Sequence, residues 1–575
     1  MRTLAWLRQQ LERARSRWSS RTFVTWAVFG STMIMASAGL HWAVRLAFLG
    51  YGATLFGVLW VCRQSWMRSE AATHQDREAK QANWVTIVAL GALGVLLLTR
   101  LIPFLRFGEA PLGYDTGFYV GSIRSLYQTN TPASSALYLS IIPWYVAGIP
   151  PALLYHVFHV LTQLFLAGAL YFLLASFSVP LRRRLAAAVL VAFALSAVQF
   201  LGYWWAFTQQ MLGMGFLLIA MGFFLRRSYW TPLFALLAFL LHTPTGAVLL
   251  LTLAVYHLVY IVQLFRSRRY VDRWTNVMLV MGLVALPVAV WVKWNDVANL
   301  FSDVFRSYGV FLAQVPSERA LEFRGNFIGS DVFRWLILGS IPLSCFTIVH
   351  PEIWWRRRVS AAFFYRHLLL LYAALAVLVV LTFAPVIYQA RFSIMLDLVL
   401  LVFTAPALLV LVEHVAQRRS GYMVLVGALA MAPISMGLTV WHQRPMITTS
   451  ELREMKNFPA LAEPHAGVLV TDSYYAPWLW GFATWGTVAP GYLGDSWSHA
   501  SWERFWYGSS DEERLQMLSA RDHPQPPLYL YLGERQQQEQ PYEWFIRSSP
   551  VFVNVSPHLW KFIGDPRPVP VFPST

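Results

Sequence analysis

Long apolar runs separated by short basic interruptions dominate the chain. A bilayer core of about 30 Å is crossed by roughly 20 apolar residues in a helix. Runs of that kind fall at 22–40, 44–63, 83–100, 152–178, 185–203, 208–225, 230–242, 245–265, 274–294, 333–350, 367–388, 393–415 and 421–441. The pattern predicts a polytopic α-helical membrane protein with about 13 transmembrane helices. The run 230–242 is short and ends in "HTPTG", which marks a half-helix or a tight turn, and 136–149 reads as a re-entrant segment.

The interruptions set orientation, because short cytoplasmic loops retain Lys and Arg. With the amino terminus inside, alternate loops carry "RQSWMRSEAATHQDREAK", "LRRR", "LRRS", "RSRRYVDR", "WWRRR" and "QRR". The opposite loops are long or poor in basic residues. This places loops 101–151 and 295–332, and everything after 442, on the external side, which in a bacterium is the periplasmic face of the inner membrane. Residues 1–21, "RTLAWLRQQLERARSRW" and its flanks, put apolar residues on one helical face and arginines on the other. Such a helix suits an anionic inner leaflet, although a basic tail that merely orients the chain fits equally well.

From 442 to 575 the pattern changes. The runs "GVLVTD", "GTVAPG", "PLYLYLG" and "VFVNVSP" have strand character, whereas "YYAPWLWGFA" and "SWERFWYGSSDEERLQML" read as helices. Together they predict a small C-terminal external α/β domain. The tail "DPRPVPVFPST" is extended.

Composition agrees with the membrane reading. The chain is 57% hydrophobic and 13% charged, with mean hydropathy +0.47, too apolar to hide in one water-soluble core. A net charge of +16 raises nucleic-acid binding, but that needs a solvated basic face, and here the cations punctuate apolar runs. Cys62 and Cys345 both lie in apolar segments, so neither a disulfide framework nor a cysteine metal cluster is readable. The long polar start argues against a cleaved signal peptide and for a retained anchor.

The chemistry-bearing passage is "EAPLGYDTGFYVGSIRSL", 109–126, directly after an apolar run. Its Gly and Pro residues make an irregular turn, and "DTGFYVGSIRSLYQ" reads as a short amphipathic helix opened by Asp115. An acid there is either an N-cap or a functional group. Arg391 in "VIYQARFSIMLDL" falls at the external end of a helix, where a guanidinium either grips a phosphate or snorkels to the interface. Asp397, deeper in that helix, must face protein or water and suits pairing with a basic group. His242 in "HTPTG" either lines a pocket or caps a turn with Thr243 and Thr245. His156 and His159 share a helical face, but two ligands without a third make a weak metal site, and interior hydrogen bonding is the better reading. Trp478, Trp480, Trp485 and Trp497 suit sugar stacking, packing or an interfacial belt, and Asp472, Tyr474 and Tyr475 open the α/β region at a strand end.

Many helices, a first external loop opening with an acid, aromatic external loops and an external α/β domain together resemble the GT-C superfamily of glycosyltransferases. "YDTGFYVGSIRSLY" is similar to that superfamily's first-loop motif. The resemblance implies a donor sugar carried on a polyprenyl phosphate and a glycan, lipid or protein acceptor. It further implies that Asp115 is the catalytic base or holds acceptor or metal, with Glu109 as a second acid, although many members carry two adjacent acids. Arg391 becomes the contact to the lipid phosphate, with His242, Glu318, Arg124 and Tyr388 as further substrate contacts. A divalent cation, Mg or Mn, is the one cofactor implied. The core of this reading is that Asp115 and Arg391 share one pocket. "VPSE" at Glu318 is similar to a loop motif of oligosaccharyltransferase catalytic subunits, but "TDSYYAPWLWGF" stands where that subfamily has Trp-Trp-Asp-Tyr-Gly. The competing class is a non-catalytic transporter or assembly component for envelope polysaccharide. Transporters place more ionisable groups at midplane, and here only Asp397 speaks for that.

Overall fold

The computed structural model describes residues 78–108, 113, 115–129, 148–177, 182–267, ten helical positions between 274 and 298, 341–349, 354, 367–383, 389–415, 436–441, 443–461, 468–471, 474–483, 487–488, 501, 504–508, 510–519, 528–534 and 550–563. By contact the chain divides into one unit of 76–406 with 436–575 and another of 1–75 with 407–435. The description below concerns the first.

Its helical part runs α1 (Glu78–Phe107), α2 (Thr116–Thr129), α3 (Pro151–Ala175), α4 (Arg182–Ala194), α5 (Ala197–Trp204), α6 (Thr208–Leu225), α7 (Thr231–Leu241), α8 (Thr243–Ser267), α9 (Ile341–Val349), α10 (Leu369–Phe383) and α11 (Gln389–Val415). Among the described residues five helices are long and apolar enough to cross a membrane: Val85–Phe107, Pro151–Ala175, Thr208–Leu225, Thr243–Val262 and Arg391–Val410. The first two expected runs, 22–40 and 44–63, the re-entrant segment up to 147 and nearly all of the 295–332 loop lie outside the described residues.

Two local features differ from, or sharpen, the sequence pattern. The run 185–203 reads as one span, but α4 and α5 meet at a 57° bend. Ser196 causes the break: its hydroxyl accepts from the Gln199 N–H as an N-cap of α5 and donates to Asp397 Oδ2 at 2.8 Å. At "HTPTG", α7 and α8 form a tight corner rather than one broken run. His242 caps α8, its Nδ1 accepting from the Thr245 backbone N–H at 3.3 Å and bonded to Thr245 Oγ1 at 2.7 Å. Gly246 permits the close turn, since a Cβ there would lie 2.5 Å from Phe239 Cα.

The C-terminal part contains α12 (Thr449–Leu461), α13 (Ala476–Phe482), α14 (Asp511–Ser519) and strands β1 (Val468–Val470), β2 (Thr487–Val488), β3 (Leu528–Tyr531), β4 (Phe552–Ser556) and β5 (Leu559–Phe562). The five strands form one sheet in the order β2-β1-β3-β5-β4. β1 is parallel to β2 and β3, and β5 is antiparallel to β3 and β4. Strand alternation separates two cores. Leu528 and Leu530 pack with Phe505, Trp506, Phe552 and Trp560 on one face. Tyr529 and Tyr531 pack with Met455, Phe458, Tyr475 and Trp478 on the other.

Helix α12 carries the polar anchor of this region. Thr448 and Glu451 form a capping box, with Thr448 N–H donating to Glu451 Oε2 at 2.7 Å and Glu451 N–H to Thr448 Oγ1 at 3.2 Å. One turn on, Glu454 accepts from the His558 N–H at 2.9 Å, from Ser556 Oγ, and bonds His558 Nδ1 at 2.5 Å. This ties α12 to the β4–β5 hairpin.

Burial alone would depress the His558 imidazole, but the Glu454 bond outweighs it and lifts His558 above 6.5. Burial would likewise lift Glu454, and the bonds from His558 and Ser556 hold it below 4.5 instead. A raised imidazole stabilises fully below 6.5 and loses that contribution as pH rises through its folded value; a depressed carboxyl stabilises fully above 4.5 and loses it as pH falls. The thermal midpoint lost on His558→Gln is therefore expected to be largest between 4.5 and 6.5 and to correspond to about 1–3 kcal/mol. A pH series of melts of the detergent-solubilised chain, with equal losses at pH 5.5 and pH 9, would remove the charged pair from the account.

Candidate active site

The first turn of α2 is seated from two sides. Behind it, Gly113 donates its N–H to Trp204 O at 2.6 Å, where a Cβ would sit 2.6 Å from that same oxygen. Beside it, α2 crosses α13 with glycine at the contact. A Cβ on Gly117 would lie 2.3 Å from Pro477 O, one on Gly121 would lie 2.6 Å from the Trp480 ring, and one on Gly481 would lie 2.2 Å from Gly117 O. Phe118 stacks on Trp480 at 5.2 Å between ring centroids. Arg124 closes the crossing, donating to Gly481 O at 2.5 Å and Trp480 O at 3.0 Å, where a cation also suits the carboxyl end of α13.

This seating presents Asp115 at the helix start. Its carbonyl accepts from the Tyr119 N–H at 3.1 Å, so the backbone begins the helix there. Its carboxylate does not cap: among the described residues it meets only Arg391, Oδ2 to Nη2 at 3.8 Å. The side chains are 18% and 30% exposed, so the pair is sheltered without being sealed. Burial raises the Asp115 carboxyl from 3.8 to about 6, against the pull of Arg391.

Arg391, in the first turn of α11, is held by neighbours from α6. Its guanidinium lies over the Phe207 ring at 5.0 Å to the centroid, and its carbonyl accepts from Gln210 Nε2 at 2.7 Å. The turn carrying Phe207 contains Ala206 at φ 63, a left-handed backbone uncommon for a residue with a Cβ. From α2 a column of rings runs into the bundle: Tyr119 on Tyr155 at 5.2 Å, Tyr155 on His159 at 5.6 Å, and His159 on Tyr203 at 4.4 Å.

Several sequence candidates thus take definite places. Asp115 and Arg391 come within 3.8 Å of each other. His242 lies close enough to Arg391 to feel its charge. Arg124 binds backbone carbonyls of α13 and stands at the crossing, not beside the Asp115 carboxylate. Glu109, Glu318, Tyr388, Asp472, Trp485 and Trp497 lie outside the described residues. Trp478 is fully buried in the sheet core and Trp480 packs on α2, so both serve packing. His159 is an interior residue: Nε2 donates to Tyr203 O at 2.9 Å and Nδ1 meets Thr208 Oγ1 at 2.7 Å. Asp397 accepts from Ser196 Oγ and from Gln199 Nε2 at 2.9 Å. Among the described residues no three His, Cys, Asp or Glu side chains gather as metal ligands. Phe207 and Gln210 were not foreseen from sequence, nor was the α2–α13 crossing, although Gly117 and Gly121 have the spacing that marks close helix contact.

No protein-family model matches this sequence, and no curated protein matches it. Among solved structures, ArnT from Cupriavidus metallidurans in the apo state is 11% identical and aligns 85% of this chain with 100% of its own at a TM-score of 0.50. ArnT from the same organism bound to undecaprenyl phosphate is 13% identical and aligns 84% of this chain with 99% of its own, also at 0.50. The chain has the fold of ArnT. The ArnT-like fold and the apolar helices make this a multi-pass membrane protein.

The crossing can be tested against a neutral glycine. Gly117→Ala places a methyl against the Pro477 backbone and is expected to destabilise by about 1–3 kcal/mol. Gly94→Ala, where nothing lies within 4 Å of the new Cβ, is expected to be neutral or stabilising. Equal melting temperatures for the two variants would remove the glycine contact as a constraint. Infrared pH-difference spectra should show a carboxyl band titrating at about 6 that is missing in Asp115→Asn and shifts to higher pH in Arg391→Gln.

Proposed function

We propose that the protein is a GT-C-type glycosyltransferase that moves a sugar from a polyprenyl-phosphate donor to an acceptor at the outer face of a bacterial inner membrane. The acceptor is a cell-envelope glycan, a lipid or a protein. The observation that carries this reading is the Asp115–Arg391 pair at 3.8 Å, a carboxylate with no other described partner facing a guanidinium. The fold likeness to an ArnT bound to undecaprenyl phosphate supports it, as does the basic-loop pattern that puts this end of the helices outside.

In the proposed reaction an acceptor hydroxyl attacks the anomeric carbon while its proton passes to Asp115. The bond from that carbon to the phosphate oxygen breaks, and its electron pair leaves on the lipid phosphate. Arg391 offsets the charge that develops there, a task for which forked donors suit better than an ammonium. Asp115 is useful as a base because burial keeps its proton affinity well above that of a solvated carboxylate, while Arg391 keeps it ionised near neutrality. Phe207 and Gln210 hold Arg391 in place, and the glycine crossing holds Asp115.

Transfer should fall by about 10²–10⁴ in Asp115→Asn with donor binding kept. The acid limb of kcat/KM should lie at about 6, because the base works only when deprotonated. Arg391→Gln should weaken donor binding. A radiolabelled donor in native membranes measures all three, and full transfer by Asp115→Asn would sink the mechanism. Movement of the lipid-linked sugar across vesicles without bond cleavage would point to transport instead.

A further inference from the structure

Two polar atoms beside Arg391 have no hydrogen-bond partner although each is closed off from solvent: Gln210 Oε1 and His242 Nε2. The residues are 2% and 7% exposed. They belong to neighbouring helices brought close by a glycine, since a Cβ on Gly213, one turn below Gln210, would lie 3.0 Å from His242 Cβ. Burying such atoms unpaired costs about 1–3 kcal/mol each, a cost that a ligand bonding both would remove.

Their bonding fixes what they offer. Gln210 must turn its NH₂ toward the Arg391 carbonyl, which can only accept, and this leaves Oε1 as an acceptor. His242 Nδ1 receives the Thr245 backbone N–H, so in the neutral ring the hydrogen sits on Nε2, which is a donor. The two atoms therefore offer one acceptor and one donor from the elements packed against Arg391. A phosphate has oxygen acceptors only, and its charge would be repelled by Oε1. A hydroxyl both donates and accepts.

We infer that Gln210 and His242 read a hydroxyl of the donor sugar, the one on the carbon next to the anomeric centre, because that group lies nearest the phosphate that Arg391 would hold. The inference rests on the glycosyltransferase reading and assigns sugar selection to α6 and α8. A hydroxyl-bearing sugar satisfies both atoms, whereas its deoxy analogue leaves them buried and unpaired. Sites built this way reject the analogue strongly.

Binding of undecaprenyl phosphate, its glucoside and galactoside, and the two matching 2-deoxy glycosides to the purified full chain in nanodiscs tests this. The wild type should prefer at least one 2-hydroxy sugar over its deoxy partner by about tenfold or more. That ratio should fall below about threefold in Gln210→Met, which keeps length without an acceptor, and in His242→Asn, which keeps a good helix cap but removes Nε2. No preference in the wild type for either sugar, or an undiminished ratio in both variants, would overturn the inference while leaving donor binding intact. Failure of the wild type to bind any of the five lipids would overturn the glycosyltransferase reading itself.

Discussion

The backbone contact between α2 and α13 is the constraint on which the site depends. Gly117, Gly121 and Gly481 have no side chain to hold the helices apart, so Pro477 and Trp478 sit against the first turn of α2. That turn begins at Asp115. The position of the carboxylate is therefore set by a helix from the C-terminal sheet region as much as by the membrane helices, and the contact division agrees, joining 436–575 to 76–406. Arg124 adds direction, since its two bonds to the end of α13 fix the rotation of α2 about its own axis.

Polar groups among the apolar helices divide into two kinds. His159, Thr208, Tyr155 and Tyr203 satisfy one another: Tyr155 and Thr208 hydroxyls lie 3.0 Å apart, Thr208 meets His159, and Tyr203 donates to Arg100 O at 2.9 Å. Asp397, Ser196 and Gln199 form a second such set at the α4–α5 bend. These networks shape the bundle, with Gln199 Oε1 and Arg100 Nη2 left outside them. Around Arg391 stand a carboxylate at 3.8 Å and two buried atoms without partners. What sets this place apart is that a charged pair and two unpartnered polar atoms fall around one arginine.

Much of this was legible in the sequence, for physical reasons that differ by element. Helices such as Thr208–Leu225 follow from apolar length alone, and the strands at 468–470 and 528–531 from short apolar runs between turns. Helix α12 was missed because its polar face and Pro459 mask it, although the Thr448–Glu451 capping box marks its start. β5, "LWKF", was missed because it is four residues long and follows the β4 run after a two-residue turn. The split of 185–203 was hidden because Ser196 among apolar neighbours signals a cap only when Asp397 is known to meet it. Asp115 and Arg391 stood out as charges at the ends of apolar runs. Gln210 did not, since an amide in a polar turn carries no sign of the carbonyl it will bind.

The loose spacing of Asp115 and Arg391 bears on how a base and a phosphate contact can share one pocket. A close bidentate pair would hold the carboxylate far below neutrality and make it a poor proton acceptor. At 3.8 Å, burial wins and the carboxyl stands at about 6, still ionised at neutral pH. In the proposed reaction the arriving donor phosphate draws on the same guanidinium and adds negative charge beside the carboxylate. Both effects strengthen its hold on a proton, so the base gains power when a leaving group is present to use it. The competition between two anions for Arg391 thereby couples donor binding to activation of the acceptor hydroxyl, with no moving part beyond the guanidinium.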